Sequence, residues 1–244
     1  MIKKLDKWHS DNLGKEMPIV RYGDTGAPVL FFPTAAADYL EYERFKLIDA
    51  IKPYIDGGLI NVFSIDSVNK DAWLNEDISP AERASLQVAY DRYVSEEVVP
   101  YIEDACETPG IGITTTGASF GAFHAMNTLL KHPDQFSGTI AMSGCYDIRS
   151  CCDGYHDENV YFNNPVEFIP NIDDADLLEK ICATRITIVT GQGDYENPDY
   201  SKEMAGVLQD KSIPVELDLW GLDVKHDWPW WEKMLHHYIP TYFA

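Results

Sequence analysis

The stretch "TTTGASFGAFHAM", residues 114–126, decides how this chain is read. Three β-branched residues, Thr114 to Thr116, lead into Gly117-Ala118-Ser119-Phe120-Gly121, and a helix-type segment follows directly. The five residues match G-x-S-x-G. A serine presented between a strand and a helix occupies a strained turn, and side chains at the flanking positions would collide with the adjoining strand and helix. Glycine at both positions is what that turn requires. The same placement sets Ser119 at a helix N-terminus, where unpaired N–H groups favour a developing anion. The competing reading, a small residue in a glycine-rich turn, has to be weighed against the rest of the chain.

Working outward, the pattern alternates strands and helices. "MPIVRY" (17–22) and "PVLFF" (28–32) are strand-type runs separated by the turn "GDTGA", and they read as neighbouring strands. "YLEYERFKLIDAIKPYI" has helical spacing, closed by Pro53 and Gly57-Gly58. "LINVFSI" (59–65) is a buried-strand pattern, and a long helix is predicted from Pro80 to Glu107, with Ser79 and Glu82 forming a capping box. The strand "IGITTT", the Ser119 turn, the helix "FGAFHAMNTLLKH" and the strand "GTIAMSG" follow. After an irregular segment come a helix near 174–182, the strand "RITIVT", a helix near 199–210, the strand "PVELDLW" and a C-terminal helix. Parallel neighbours need crossovers, so this alternation predicts a mostly parallel central sheet covered by helices on both faces, in one domain over 1–244. Residues 145–172 interrupt the rhythm, and long irregular segments in compact domains are usually functional. They are read as a small cap insertion beside a pocket.

A serine hydroxyl needs a base to take its proton. Of seven histidines, His226 stands apart, because it follows the last strand through the short loop "GLDVK" and precedes the final helix. In a doubly wound sheet such a loop comes over the strand ends where Ser119 is expected. The orienting acid should follow the preceding strand, where "RITIVTGQGDYEN" supplies Asp194 and Glu196. Asp194 is the first choice because it lies nearer the strand end, and Glu196 is the alternative. The resulting order of Ser119, acid and His226 is that of α/β-hydrolases. The oxyanion hole is expected from the Phe120 N–H and one donor in "PTAAAD", where Pro33 has no N–H, so Ala35 is preferred and Thr34 comes next. Tyr39, Tyr195 and Trp228 are candidates for a substrate pocket, weighed against core packing of the tryptophans in the final helix.

Composition bounds the remaining possibilities. Nineteen Lys and Arg against forty Asp and Glu leave a formal charge of −21, which argues against nucleic acid or an anionic membrane surface as partner. The hydrophobic share of 45% is that of a folded chain. The N-terminus lacks the apolar run of a signal peptide, and no window approaches the ~20 apolar residues of a membrane helix, so a soluble, cytoplasmic protein is expected. Five cysteines, an odd number, suit reduced thiols. Cys151 and Cys152 near His156 have no second ligand pair at zinc spacing, and neither a metal nor an organic cofactor is expected.

The segments "LFFPTAAAD", "GASFGAFHAMN", "YFNNPVEFIPN", "TGQGDYENP" and "LDLWGLDVKHDWPWW" together resemble the esterase family of α/β-hydrolases that includes esterase D (S-formylglutathione hydrolase), feruloyl esterase domains, enterochelin esterases and the mycobacterial mycolyltransferase antigens. The resemblance implies an α/β-hydrolase fold, with Ser119 as nucleophile, His226 as base, and Ala35 and Phe120 as oxyanion donors. It leaves the acid open between Asp194 and Glu196. Ala118 stands where the esterase D subgroup has histidine, which points away from that subgroup's own substrate. The expected function is a serine carboxylic ester hydrolase acting on small to medium acyl or aryl esters. The alternatives are an acyltransferase using the same acyl-enzyme and a non-catalytic binding protein on the same fold.

Overall fold

In the computed structural model, which describes residues 1–243, eight strands form one sheet in the order β1-β2-β4-β3-β5-β6-β7-β8. Along the chain the elements are β1 (Lys3–Ser10), β2 (Lys15–Tyr22), β3 (Ala27–Phe32), α1 (Glu41–Arg44), α2 (Leu47–Asp56), β4 (Ile60–Ile65), α3 (Pro80–Arg92), α4 (Val99–Ala105), β5 (Ile113–Ala118), α5 (Phe120–Lys131) and β6 (Phe136–Met142). Then come α6 (Glu158–Tyr161), α7 (Pro165–Phe168), α8 (Ala175–Cys182), β7 (Arg185–Thr190), α9 (Pro198–Asp210), β8 (Glu216–Leu219) and α10 (Trp228–Phe243). β2 pairs antiparallel with β1 and β4, and every pairing from β4 through β8 is parallel.

Strand alternation divides the core into two layers. Leu30, Phe32, Phe63 and Ile188 face a layer that takes in Tyr90, Met126, Leu129 and Leu208 from α3, α5 and α9. Val29, Phe31, Val62 and Val189 face the other, with Ile48 and Ile51 of α2 and Met234 and Leu235 of α10. Helices thus cover both faces, as the alternating pattern predicts. Among the described residues no helix is long and apolar enough to cross a membrane.

Two local expectations are corrected. β2 and β3 are not neighbours, because β4 lies between them. The turn after β2 passes over the start of β4 instead of folding back: Gly26, at φ +98°, packs so tightly that a Cβ there would lie 2.6 Å from the Gly58 carbonyl oxygen and the Ile60 nitrogen. Second, the predicted helix after β3 is broken at Lys46, whose φ is +69°. Pro53 lies inside α2, and only the Gly57-Gly58 pair ends that helix. The N-terminal segment, assigned to no element by the sequence pattern, forms the edge strand β1, paired along its length with β2.

The capping box at the start of α3 is present, with Glu82 N–H donating to Ser79 Oγ and Ser79 N–H to the Glu82 carboxylate. The long helix continues through a widened turn over Tyr93–Val98 into α4. Pro100 sits in the first turn of α4, and its missing N–H accounts for the displaced hydrogen-bond ladder there.

Candidate active site

β5 ends at Ala118 and α5 begins at Phe120, leaving Ser119 alone in the turn at φ 57° and ψ −123°. An L-residue holds that conformation only when its surroundings over-determine it. Two hydrogen bonds do so here: Ser119 N–H donates to the Met142 carbonyl at 2.9 Å, and Ala122 N–H to the Ser119 carbonyl at 3.1 Å. The glycines are needed for space. A Cβ on Gly117 would lie 2.4 Å from the Gly121 carbonyl carbon, and one on Gly121 would lie 2.3 Å from the Phe32 carbonyl oxygen. The second contact also brings the chain leaving β3 against the first turn of α5.

His226 sits in the loop between β8 and α10. That loop is laced to the one after β7: Gly193 N–H donates to the Val224 carbonyl at 2.8 Å, and His226 N–H to the Asp194 carbonyl at 3.1 Å. A Cβ on Gly191 would come within 2.2 Å of the Val224 carbonyl oxygen, so only glycine permits this approach. The imidazole stands edge-on to Trp231, with ring centres 5.0 Å apart.

The two loops bring one carboxylate to the imidazole, and it is that of Glu196. Its Oε2 lies 3.3 Å from His226 Nδ1 and accepts from Thr190 Oγ at 3.1 Å. Its Oε1 accepts from Ser143 Oγ at 2.6 Å and from Gly191 N–H at 3.3 Å. Burial by itself raises the pKa of this side chain, but the hydrogen bonds from His226 and Ser143, the His226 charge and Thr190 outweigh it and hold the carboxyl below the usual range. Asp194, ranked first on the sequence, points away: its side chain is 66% exposed and pairs with Lys225 at 2.7 Å. Only its backbone carbonyl meets the His226 segment. The loop turns at Tyr195, at φ +65°, and Glu196 rather than Asp194 is directed inward to the imidazole.

Ser119 and His226 line one open cavity of about 160 Å³, together with Ser143, Cys145, Tyr195, Asn197 and Tyr200. Of the three expected pocket aromatics, Tyr195 reaches it. Trp228 instead stacks face to face on Phe45, with ring centres 4.5 Å apart, and Tyr39 is tied by its N–H to Asp66. Tyr42 bridges two strand ends, donating from its hydroxyl to the Phe32 carbonyl and accepting from Ala118 N–H. Thr34 N–H is already taken by Glu41 at 2.8 Å, whereas Ala35 N–H has no acceptor among the described residues. Phe120 N–H, at the first position of α5, has no acceptor within the helix.

Residues 145–172 fold into short turns and the helices α6 and α7. Ile148, Cys152 and Val160 pack with Trp73, Ala84 and Phe123, and Phe168 and Ile169 join the main core. Of this segment, Cys145 lines the cavity. A larger hollow of about 700 Å³ lies along β1, where Glu97 is engaged by Trp8, Ser10 and Asn12 and no nucleophile and base meet. Ser143 and Glu41 escaped the sequence reading, since a lone serine at a strand end and a glutamate in a helix turn carry no distinguishing pattern.

The family model described as "Putative esterase" matches residues 59–241. The chain belongs to this esterase family. The resemblance read from the five sequence segments is met by that match and by the solved structures that share the fold of this family member. A ferulic acid esterase superposes with a TM-score of 0.76 at 16% identity, covering 99% of this chain and 97% of that one. The S-formylglutathione hydrolase (FrmB) of Staphylococcus aureus gives 0.69 at 14% identity, over 100% of this chain and 96% of that one. MPT51 (FbpC1) of Mycobacterium tuberculosis gives 0.72 at 14% identity, over 99% and 97%. Among curated proteins, Uncharacterized protein YjcH of Bacillus subtilis (strain 168) is 26% identical over 152 residues, 60% of this chain and 57% of that protein. The chain thus matches little more than half the length of that relative.

Proposed function

We propose that this esterase-family chain is a serine carboxylic ester hydrolase, with Ser119 as nucleophile, His226 as general base and Glu196 as the acid that orients it. One observation carries the reading: a strained serine shares a cavity with a histidine whose far nitrogen is held by a buried, ionised carboxylate. Glu196 fixes the imidazole tautomer with hydrogen on Nδ1, which leaves Nε2 to accept the Ser119 proton. The serine oxygen then bonds to the ester carbonyl carbon, and the carbonyl electrons move onto oxygen as a tetrahedral oxyanion. Phe120 N–H and Ala35 N–H stabilise that charge. Collapse expels the alcohol, which takes the proton from His226. Water, deprotonated by His226, repeats the sequence on the acyl-enzyme and releases the acid.

The cavity of about 160 Å³ suits a short acyl group or a single aryl ring, since a cavity near 150 Å³ holds benzene. Short p-nitrophenyl esters are therefore the first substrates to assay. Turnover of the acetate or butyrate ester, with covalent labelling of Ser119 by a fluorophosphonate and loss of both in Ser119→Ala, is the expected result. A wild-type protein that neither turns over these esters nor takes the label overturns the proposal.

A further inference from the structure

The hydrolase reading assigns no role to Glu41, yet this carboxylate is only 6% exposed and, among the described residues, no lysine or arginine forms a salt bridge with it. Its two oxygens are both spent on one residue: Oε2 accepts Thr34 N–H at 2.8 Å and Oε1 accepts the Thr34 hydroxyl at 2.7 Å. Thr34 is the second residue of the segment that runs from β3 to α1, and Ala35, the second proposed oxyanion donor, is the next residue. A two-point grip on Thr34 removes its rotational freedom and occupies its backbone donor.

The next residue in α1 acts on the same region. The Tyr42 hydroxyl joins Phe32, the last residue of β3, to Ala118, the residue before the nucleophile. Asp66 after β4 anchors the far end of the segment through Tyr39 N–H at 2.8 Å. The chain between Thr34 and Tyr39 is thus pinned at both ends, with Ala35 next to the tighter pin. Such fixation is what an oxyanion hole needs, because donors that are already oriented cost no reorganisation when the charge develops.

We infer that Glu41 is a positioning residue of the oxyanion hole, which by gripping Thr34 at two points sets the loop so that Ala35 N–H is the donor left for the substrate. This inference rests on the hydrolase reading above. Burial pushes the Glu41 carboxyl up, and the Thr34 bonds and the charge of Arg44 oppose that rise, while Asp38 adds to it. The grip itself needs an acceptor for the Thr34 N–H and a partner for its hydroxyl. An amide supplies both.

The test compares Glu41→Ala, Glu41→Gln and Thr34→Val with wild type on a p-nitrophenyl ester, and measures inhibition by a trifluoromethyl ketone, which forms a tetrahedral adduct on the serine. Glu41→Ala is expected to lower kcat by about 10-fold to 100-fold, the scale of a misplaced catalytic group, with KM changed by less than about 3-fold. Inhibitor affinity should fall by the same factor as kcat/KM, and Glu41→Gln should recover most of the loss. A folded Glu41→Ala with kcat within about 2-fold of wild type, or a Gln variant as impaired as the Ala variant, overturns the inference. If Glu41→Ala does not fold, Thr34→Val decides, because it replaces the hydroxyl with a methyl group and so removes that bond to Glu41 while keeping the backbone N–H one: a kcat loss of about 3-fold or more supports the grip, and a smaller one overturns it. A wild type without turnover overturns both this inference and the hydrolase reading, whereas an active wild type with an equally active Glu41→Ala overturns this inference alone.

Discussion

His226 Nδ1 lies 3.3 Å from Oε2 of Glu196, and the Glu196 side chain is 1% exposed. This partnership is the ground for proposing Glu196 as the orienting acid in place of Asp194, which the sequence ranks first because it lies nearer the strand end. Glu196→Gln is expected to lower kcat by roughly 10³-fold to 10⁴-fold, because the amide favours the wrong imidazole tautomer and does not stabilise the imidazolium. Asp194→Asn, which breaks only the exposed pair with Lys225, should stay within about 3-fold of wild type. Steady-state kinetics on one p-nitrophenyl ester checks both. Equal collapse of the two variants would refute the assignment.

Glu196 also links stability to pH. Its folded pKa lies below the ordinary glutamate value, so the unfolded chain binds a proton more readily. Its contribution is therefore fully present above the unfolded pKa, about 4.3, and is lost as pH falls through the lower folded value. Thermal melts from pH 7 down to pH 3 should show a smaller acid loss in Glu196→Gln than in wild type. Parallel curves for the two proteins would contradict this account.

The elbow glycines make a steric prediction with an internal control. Gly121→Ala forces a Cβ to within 2.3 Å of the Phe32 carbonyl oxygen and should destabilise the fold by about 2 kcal/mol or more while abolishing turnover. Gly206, inside α9, has nothing within 4 Å of an added Cβ. Gly206→Ala is expected to stabilise by about 0.5–1 kcal/mol through helix propensity and reduced chain entropy. Urea unfolding of both variants measures the contrast, and a stabilised or neutral Gly121→Ala would be the failing result.

A buried ion pair remote from the cavity tests the core independently. Asp91 receives Lys131 at 2.9 Å and His132 at 3.1 Å, and these partners hold its carboxyl below the usual range although burial acts to raise it. Asp91→Ala leaves Lys131 without its carboxylate and should cost about 3 kcal/mol by the same unfolding measurement, with little change in KM. A loss below about 1 kcal/mol would show that water replaces the carboxylate there.

Local chemistry made much of this legible in advance. Gly117 and Gly121 around Ser119 announce a turn that no other residue type fits, since the demand is set by backbone crowding within a few residues. The Ser79 and Glu82 capping box and the histidine in the loop between the last strand and the final helix are likewise local signals. Strand adjacency was not legible between β2 and β3, because a glycine turn states that the chain reverses and not which strand will slip in beside it.

By itself, then, the sequence determined the alternating α/β layers, the place of the serine turn and the loop that carries the histidine, all of which follow from period, turn chemistry and steric need along the chain. Only the tertiary structure shows which of Asp194 and Glu196 reaches His226. The two stand two positions apart in one loop, and which of them is buried against His226 depends on the left-handed turn at Tyr195, on Thr190 at the end of β7 and on Ser143, a donor brought in from the end of β6. The same holds for Glu41, whose two contacts with Thr34 exist only because α1 folds back over the end of β3.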